Sequence, residues 1–505
     1  MGTNVAQILR QGALRVPERV ALITLSEGGG DRREHTFHDL DARACRVAST
    51  LQATGLRPAD RVALWAENSA DFVAAWFGTL YAGCELVPVP ILSAAPEVAF
   101  RIDNARCRAV LCDGAREPLL QAAVAQSTQG PAILDIHSDI VAQATLKVPL
   151  DTSQDQPAMI LYTSGTTGRA KGATISHGAL LSHTSVLAFH ALRLSADDTV
   201  LGVLPLTHSY GCRMVMLSTM YAGGRAVLLP RFEPQLAMDV MRREQVTWLP
   251  AVPTMFTALG NLPAGPQPRL HWAMCAGAPL ADETARRAEQ RLGAEIRQGF
   301  GMTEATIATL NAPPDQRVLG SVGKPVWGIE VLVVDEQGEP LSPDTQGEVW
   351  IRGHNMMSGY LDDPEATADA LRNGFMRTGD VGRVDADGRL YIVDRIKDLI
   401  IRGGNNVYPS EVENALLTHE AIAEVAVVGR PDAYYGEEVV AVVVRKADAE
   451  LSAADVLAWA RSRVAKTKVP REVIFVDALP LGPSGKILKR DLRADIIAGK
   501  VAGPK

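Results

Sequence analysis

A short run of glycines, hydroxyl side chains and one lysine, LYTSGTTGRAKG, spans residues 161–172. Glycines let the backbone turn and bring N–H groups close to an anion, while the hydroxyls donate hydrogen bonds and the lysine supplies charge. The run is not a Walker loop, because that loop needs Gly-Lys-Ser/Thr, whereas Ala170 precedes Lys171 and Gly172 follows it. It therefore predicts a different polyphosphate site at a strand end, with a flexible turn as the alternative. The predicted phosphate-binding residues are Thr163, Ser164, Gly165, Thr166, Thr167, Gly168 and Lys171.

The longer segment YTSGTTGRAKGATISH, residues 162–177, resembles the signature loop of the adenylate-forming superfamily. That superfamily contains acyl-CoA synthetases, peptide-synthetase adenylation domains and firefly luciferase, and Ala170 stands where it usually has proline. The resemblance extends along the chain to Arg493 and is closest to the acyl- and aryl-CoA synthetase branch. It implies ATP, Mg²⁺ and coenzyme A as ligands, and an acid:CoA ligase as the activity.

The segment QGFGMTEAT, residues 298–306, is similar to the superfamily element that contacts adenine and the α-phosphate. The resemblance implies that Phe300, where tyrosine is common, packs on adenine beside Gly301. It gives catalytic roles to Thr303 and Glu304. A glutamate oxygen is a hard ligand that suits Mg²⁺. The metal residues implied are Glu304 and Thr166.

Two further segments, RTGD at residues 377–380 and GRLYIVDRIKDLIIRGG at residues 388–404, are also similar to superfamily elements. The resemblance implies that Asp380 accepts hydrogen bonds from the ribose hydroxyls and that Arg395 approaches the ribose or a phosphate. It also implies a hinge at Lys397, about which a small C-terminal domain rotates between the two half-reactions.

The last elements implied by the resemblance belong to this mobile domain. Lys486, in PLGPSGKILKRDLR, would contact the acid carboxylate and the α-phosphate while the acyl-AMP forms. The loop with Gly403 and Gly404 would then approach the pantetheine chain, so that coenzyme A receives the acyl group and AMP leaves. The alternative is a stand-alone adenylation enzyme that loads an acyl carrier protein. A catalytically dead nucleotide sensor is disfavoured, because Lys486 and Glu304 are both present.

The segment LPLTHSYGCRMVML, residues 204–217, bears on the choice of acid. Amino-acid-activating relatives carry an aspartate near this point, and this chain has none there. His208 is expected near the acid carboxylate, with a helix cap as the alternative. Arg213 is expected to point away from the pocket to a partner acid, with recognition of a second carboxylate on the substrate as the alternative. The substrate is predicted to be a fatty, alicyclic or aromatic monocarboxylate. The residues predicted to line its pocket, with plain core as the alternative, are His208, Ser209, Tyr210, Met214, Ala276, Gly277, Gly301, Met302 and Ile307.

The elements that must position these residues are short apolar runs, such as RVALWA, PAMILYT and LHWAMCAG, separated by helical patterns. This order predicts an α/β large N-terminal domain at residues 1–396, with parallel sheets and flanking helices. Period-two alternation predicts a small antiparallel β subdomain at about residues 320–394. Residues 397–505 are predicted to form a small α+β C-terminal domain, joined to the large one by the hinge.

Length, charge and cysteine usage limit the remaining possibilities. The chain has 505 residues, which is long enough for two or more domains, and a formal net charge of −7. It lacks the basic field that draws proteins to nucleic acid. Its six cysteines have no metal-site or disulfide-scaffold spacing and are predicted to be reduced core residues. No transmembrane helix is expected, and the predicted location is cytoplasmic. A carrier protein and a second copy of the chain are further candidate partners.

Overall fold

The computed structural model describes residues 4–114, 117–140, 152–163, 170–446, 449–482 and 487–501. Its strands, in chain order, are β1 (Val20–Thr24), β2 (Arg33–Thr36), β3 (Arg61–Trp65), β4 (Glu85–Pro88), β5 (Ala109–Cys112), β6 (Ala132–Asp135), β7 (Pro157–Thr163), β8 (Lys171–Ser176), β9 (Thr199–Gly202), β10 (Arg225–Leu228), β11 (Trp248–Ala251), β12 (Trp272–Cys275), β13 (Ile296–Gly301), β14 (Ile307–Leu310), β15 (Lys324–Pro325), β16 (Ile329–Val334), β17 (Gly347–Gly353), β18 (Gly359–Tyr360), β19 (Leu371–Arg372), β20 (Phe375–Val384), β21 (Leu390–Arg395), β22 (Ile400–Arg402), β23 (Asn405–Val407), β24 (Ile422–Asp432), β25 (Gly436–Arg445) and β26 (Glu472–Phe475).

The α-helices are α1 (Gln7–Arg15), α2 (Phe37–Ala53), α3 (Ala70–Tyr81), α4 (Ala95–Asn104), α5 (Glu117–Val124), α6 (His177–Val186), α7 (Ser209–Gly211), α8 (Ser218–Ala222), α9 (Pro234–Arg243), α10 (Pro253–Gly260), α11 (Asp282–Leu292), α12 (Pro364–Ala370), α13 (Pro409–Leu417), α14 (Ala453–Arg461) and α15 (Lys489–Ile497). Two π-helical segments, Leu187–Ala191 and Cys212–Leu217, continue α6 and join α7 to α8. Three short 3₁₀ turns lie at Glu27–Gly29, Ile396–Asp398 and Lys466–Lys468.

Two large sheets form the N-terminal part of the described chain. One has the strand order β18-β8-β7-β4-β3-β5-β6, and the other has the order β15-β14-β13-β12-β11-β9-β10-β1-β2. Their central strands are parallel, and antiparallel strands lie at every edge except β6, which pairs parallel with β5. The apolar runs of the sequence are these central strands, so the predicted parallel α/β architecture is confirmed.

The central strands are buried on nearly every residue, as expected for sheets that helices cover on both faces. Strands of both sheets contribute to one large buried cluster, which includes Trp76 of α3 and Leu161 of β7. A capping box at Thr36 and Asp39 begins α2, and the Ser69 side chain accepts a hydrogen bond at the start of α3. These two helices pack between the sheets and fix their relative position.

Two smaller sheets complete the described structure. Strands β16, β17, β20, β19 and β21 form an antiparallel sheet, as the period-two pattern predicted. After the turn at Ile396–Asp398, strands β22 to β26 form a mixed sheet with helices α13, α14 and α15 against it. Ser452 caps α14. The predicted fold class, a large α/β part with a smaller α+β part, is confirmed.

Candidate active site

The lysine of the glycine-rich loop lies beside the strand that leads into the loop. Strands β7 and β8 pair antiparallel, and Thr163 faces Lys171 at the open end of the pair. The Lys171 ammonium lies 5.2 Å from the centroid of the Tyr360 ring. Thr163 and Lys171 thus flank the loop from both sides. The other predicted loop residues, Ser164, Gly165, Thr166, Thr167 and Gly168, lie outside the described residues.

The carboxylate of Glu304 lies next to this loop, although Thr163 precedes it by 141 residues. One carboxylate oxygen accepts hydrogen bonds from the Tyr360 hydroxyl at 2.9 Å and from the Thr163 hydroxyl at 3.3 Å. Glu304 is only 6% exposed. No lysine, arginine or histidine among the described residues forms an ion pair with it. Since a buried carboxylate needs a cation or strong donors, this arrangement fits Mg²⁺.

Tyr360 is a site residue that sequence reasoning missed. It lies in the two-residue strand β18, which pairs with β8 and thereby places the tyrosine against Lys171. Burial and the neighbouring Glu304 raise the pKa of Tyr360, so its hydroxyl stays protonated and donates to the carboxylate. A lone Gly-Tyr pair in a loop gives no sequence signal for this role, because the contact depends on a strand pairing between distant segments.

The adenine-contact residues predicted from QGFGMTEAT lie where β13 turns into β14. Phe300 is half-buried and lies opposite Thr309, and Gly301 pairs with Ile307 across a bulge. A Cβ on Gly301 would lie 1.9 Å from the Thr306 carbonyl oxygen, so only glycine permits this tight turn. The turn carries Thr303 and Glu304 to the carboxyl edge of the sheet. Adenine packing on Phe300 remains a prediction.

Asp380 and Arg395, predicted from two separate segments, are cross-strand neighbours on β20 and β21. The Arg395 Nε lies 3.2 Å from an Asp380 carboxylate oxygen. Asp380 is buried and its backbone N–H donates to the Thr378 hydroxyl. The aspartate is therefore held rigidly at the edge of this sheet, while the Arg395 side chain is half exposed. Their predicted contacts with the ribose remain predictions.

His208 caps the helix that begins at Ser209, which was the alternative given for it. Its Nδ1 accepts a hydrogen bond from the Tyr210 backbone N–H at 3.2 Å. A neutral imidazole that accepts at Nδ1 carries its proton on Nε2, so that nitrogen is a donor. The cap therefore sets the tautomer that could donate to a carboxylate. The predicted contact with the acid is compatible with the cap and stays a prediction.

The predicted acid-pocket residues line the carboxyl ends of β11, β12 and β13. The buried Tyr210 hydroxyl donates to the carbonyl oxygen of Met274 at 3.0 Å and contacts that of Ala251 at 3.4 Å. Tyr210 therefore fastens its helix to two strand ends. Met214 and Ala276 are also buried, and Gly277, Gly301 and Met302 are half-buried at the strand ends. The prediction that they bind an acid is not decided by burial alone.

The structure corrects the expectation for Arg213, which was expected to reach a partner acid. Arg213 is completely buried, and no aspartate or glutamate of the described chain forms an ion pair with it. It contacts the imidazole of His183 instead. The reason is local: residues Cys212–Leu217 form a π-helical segment, whose wider turn redirects the side chains that an α-helical projection would place elsewhere.

Comparison with known proteins identifies the family. A model described as AMP-binding enzyme matches residues 9–361, and one described as AMP-binding enzyme C-terminal domain matches residues 411–486. A feruloyl-CoA synthase from an Amycolatopsis species is 36% identical, over 91% of this chain and 93% of that protein. A long-chain-fatty-acid–CoA ligase from Bacillus subtilis is 31% identical, over 97% and 94% respectively. Among solved structures, ATP-bound MatB from Rhodopseudomonas palustris matches with a TM-score of 0.91 and 33% identity, covering 98% of this chain and 99% of that chain.

The chain belongs to the AMP-binding enzyme family. This confirms the resemblance and the predicted enzyme class: the chain is an AMP-forming acid:CoA ligase that uses ATP, Mg²⁺ and coenzyme A. The two relatives named above are both CoA enzymes, so a carrier-protein acceptor is not favoured. Their names refer to different acids, so they do not identify the acid that this AMP-binding enzyme activates.

The smaller C-terminal part of this AMP-binding enzyme carries the predicted hinge and coenzyme A loop. Lys397 lies in the exposed 3₁₀ turn between β21 and β22. Gly403 and Gly404 form the tight turn between β22 and β23, with φ values of +57° and +78° that favour glycine. Lys486 lies outside the described residues. The chain just after it is anchored, because the Lys489 ammonium is 2.7 Å from the buried Glu413 carboxylate.

The described residues contain neither a membrane-spanning helix nor a ready-made metal cluster. No helix among them is long and apolar enough to cross a bilayer. Within the same part of the chain, no group of three or more His, Cys, Asp or Glu side chains could hold a metal ion by itself. An Mg²⁺ ion at Glu304 would therefore draw most of its other ligands from nucleotide phosphates and water, as Mg²⁺ commonly does in nucleotide-binding sites.

Proposed function

We propose that this ligase activates an organic acid with an apolar carbon skeleton, and that Lys171, Thr163 and Glu304 form the centre at which the acyl-AMP is made. The observation that carries the proposal is that the buried Glu304 carboxylate accepts hydrogen bonds from Thr163, which directly precedes the glycine-rich loop, and from Tyr360. A carboxylate is a poor acylating agent until its oxygen is turned into a good leaving group. Forming the mixed anhydride with AMP achieves this.

In the first half-reaction, an oxygen of the acid carboxylate attacks the α-phosphorus of ATP and pyrophosphate leaves. Two anions must approach each other, so positive charge and N–H donors are needed at the site. Lys171 supplies charge beside the loop, and we propose that Lys486 supplies it near the α-phosphate. Bound at Glu304, Mg²⁺ would neutralise phosphate charge. The His208 Nε2–H would orient the acid carboxylate.

In the second half-reaction, the thiol sulfur of coenzyme A attacks the acyl carbon, the thiol proton is released and AMP leaves. We propose that the smaller C-terminal part rotates about Lys397 between the two steps. The rotation would withdraw Lys486 and bring Gly403 and Gly404 to the pantetheine chain. The exposed position of Lys397 in a short turn supports this role, because such a turn can change its backbone angles without disturbing a core.

The acid is proposed to lie against Tyr210, Met214, Ala276 and Ile307, with its reacting carboxylate towards His208. These side chains are apolar or have their polar atoms already bonded, so they suit a fatty, alicyclic or aromatic skeleton. We also propose a cytoplasmic location, where ATP and coenzyme A are available. A homodimer and a carrier-protein acceptor are retained as lesser proposals.

The test measures pyrophosphate release with ATP and Mg²⁺ across a panel of fatty, alicyclic, aromatic and dicarboxylic acids, each with and without coenzyme A. We expect AMP and an acyl-CoA as products for one class of acid. Glu304→Gln should lose most of the activity, since it removes the charge that holds Mg²⁺. The matched control is Glu330→Gln, which removes an exposed carboxylate paired with Arg352 and should behave like the wild type. Silence across the panel would overturn the proposal.

A further inference from the structure

A fully buried arginine lies behind the proposed acid pocket. Arg213 has 0% exposure and occupies the π-helical segment Cys212–Leu217, directly after Tyr210 and Gly211. One terminal nitrogen donates to the His183 Nδ1 at 3.2 Å. Its Nε and its other terminal nitrogen are buried and have no hydrogen-bond partner within the described part of the chain. Two donors of a cationic group are thus unused in a place that water does not reach.

The only side chain bonded to Arg213 among the described residues does not compensate its charge. His183 donates from Nε2 to the Ile307 carbonyl at 2.9 Å, so its Nδ1 is an acceptor and the ring is neutral. Burial and the neighbouring Arg213 keep the pKa of His183 well below its usual value. A buried, uncompensated charge is strongly unfavourable, so a group that can pair with it gains a favourable interaction on binding there.

Other unpaired polar atoms surround the same place. The His354 ring lies 5.6 Å from the His183 ring, and its Nε2 is buried without a partner. The hydroxyl of Thr306, next to Ile307, is also buried without a partner. These atoms come from three different segments of the chain. The His354 ring thus lies beside the histidine that Arg213 contacts, and Thr306 precedes the residue whose carbonyl binds that histidine.

The buried pair of Arg213 and His183 is linked to the segment that carries the proposed active centre. Ile307, whose carbonyl binds His183, pairs with Gly301 and lies three residues after Glu304. Three residues of extended chain span at most about 11 Å. Through Ile307 and His183, Arg213 is thus linked to the segment that carries Glu304.

We propose that the acid activated by this enzyme carries a second carboxylate, and that Arg213 binds it through the two donors that have no protein partner. This inference rests on the proposed function and names its substrate class more closely: a dicarboxylic acid whose middle is apolar. A planar guanidinium with two N–H groups matches a carboxylate in geometry and in charge. A neutral acceptor would satisfy the donors but leave the buried charge uncompensated.

The test compares matched pairs of acids: adipate with hexanoate, and terephthalate with benzoate. Wild-type kcat/KM for acyl-CoA formation should favour a diacid by about 10- to 150-fold, the range expected for charge-assisted hydrogen bonds. Arg213→Met should lose this advantage and accept the monoacid at least as well. Arg213→Lys should recover part of it. Arg291→Met, which removes another buried arginine outside the pocket, is the matched control and should keep the preference.

Each other outcome has a defined meaning. If the enzyme uses monoacids but not diacids, this inference is wrong and the proposed function still holds. If kcat/KM for ω-hydroxyhexanoate equals that for adipate, the group that Arg213 binds need not be charged, and the inference is wrong. Equal loss for both acids of a pair in Arg213→Met would make Arg213 structural. Silence with every acid would overturn the proposed function and this inference with it. If Arg213→Met does not fold, the wild type still decides: with an ATP analogue, adipate should raise its melting temperature more than hexanoate does, and equal shifts would refute the inference.

Discussion

Replacing Arg213 by methionine should make the protein more stable, although the residue is completely buried. Burial lowers the pKa of Arg213 from 12.5 to about 10. A pKa shift of one unit corresponds to about 1.36 kcal/mol, so the charged form of Arg213 is less favourable in the folded protein than in the unfolded chain by about 3 kcal/mol. Methionine keeps much of the aliphatic length and removes this charge. Few buried arginines would behave in this way, because most have an acid partner whose loss destabilises the fold.

The loss of one hydrogen bond opposes this gain in stability. The substitution removes the donor to the His183 Nδ1, and a buried acceptor without a partner costs about 1–2 kcal/mol. The expected net effect is therefore a gain of about 1–2 kcal/mol for the ligand-free protein. The physical reason is that Arg213 is kept charged and buried in order to bind the ligand, and this arrangement lowers the stability of the ligand-free protein.

The assay is urea unfolding of the ligand-free protein, with the midpoints compared at equal slope. Arg61→Met is the control: Arg61 pairs with the buried Glu85 carboxylate at 2.8 Å, so its loss leaves that carboxylate uncompensated and should lower the midpoint. A midpoint for Arg213→Met that falls by as much as the control would refute the reasoning. It would mean that the charge of Arg213 is compensated inside the folded protein without a ligand.

Three further predictions concern other parts of the molecule. Tyr360→Phe removes a hydrogen bond to the Glu304 carboxylate, so pyrophosphate release at limiting Mg²⁺ should fall by about 10- to 100-fold, as measured by the Mg²⁺ dependence of the initial rate. His177→Asn should make the stability of the protein less sensitive to acid. Burial lowers the pKa of His177 from 6.5 to about 4, so the unfolded chain binds more protons than the folded one between these pH values. The free energy of unfolding of the wild type therefore falls as the pH drops from 6.5 to about 4. The His177 Nδ1 accepts from the Val5 N–H, an acceptor that asparagine can replace, and urea midpoints across the window measure the effect. Lys397→Pro should spare adenylate formation more than thioester formation, measured as separate half-reactions.

Each of these predictions can fail in a specific way. An unchanged Mg²⁺ dependence in Tyr360→Phe would show that the hydroxyl does not hold Glu304 in its working position. If His177→Asn loses stability below pH 6.5 as steeply as the wild type, the acid sensitivity arises from other groups. Equal loss of both half-reactions in Lys397→Pro would contradict the hinge.

Most of the chemistry could be predicted from local sequence. The glycine-rich loop, the Thr-Glu pair at Thr303 and Glu304, and the short apolar strands are runs of adjacent residues whose types and spacing carry their meaning. The strand series came out as predicted, because burial on both faces of a sheet requires continuous apolar runs. The resemblance to the superfamily implied Asp380 and Arg395 as site residues, but their pairing across β20 and β21 was visible only in the fold.

The tertiary structure alone decided which distant groups meet. Thr163 and Tyr360 hold Glu304 only because β7, β8 and β18 pair and because the β13–β14 turn reaches them. The orientation of Arg213 depended on a π-helical turn, which a projection based on 3.6 residues per turn places wrongly. Sequence determines what each residue can do within its own segment. Which segments pack together, and hence which charges remain uncompensated, is set by long-range packing.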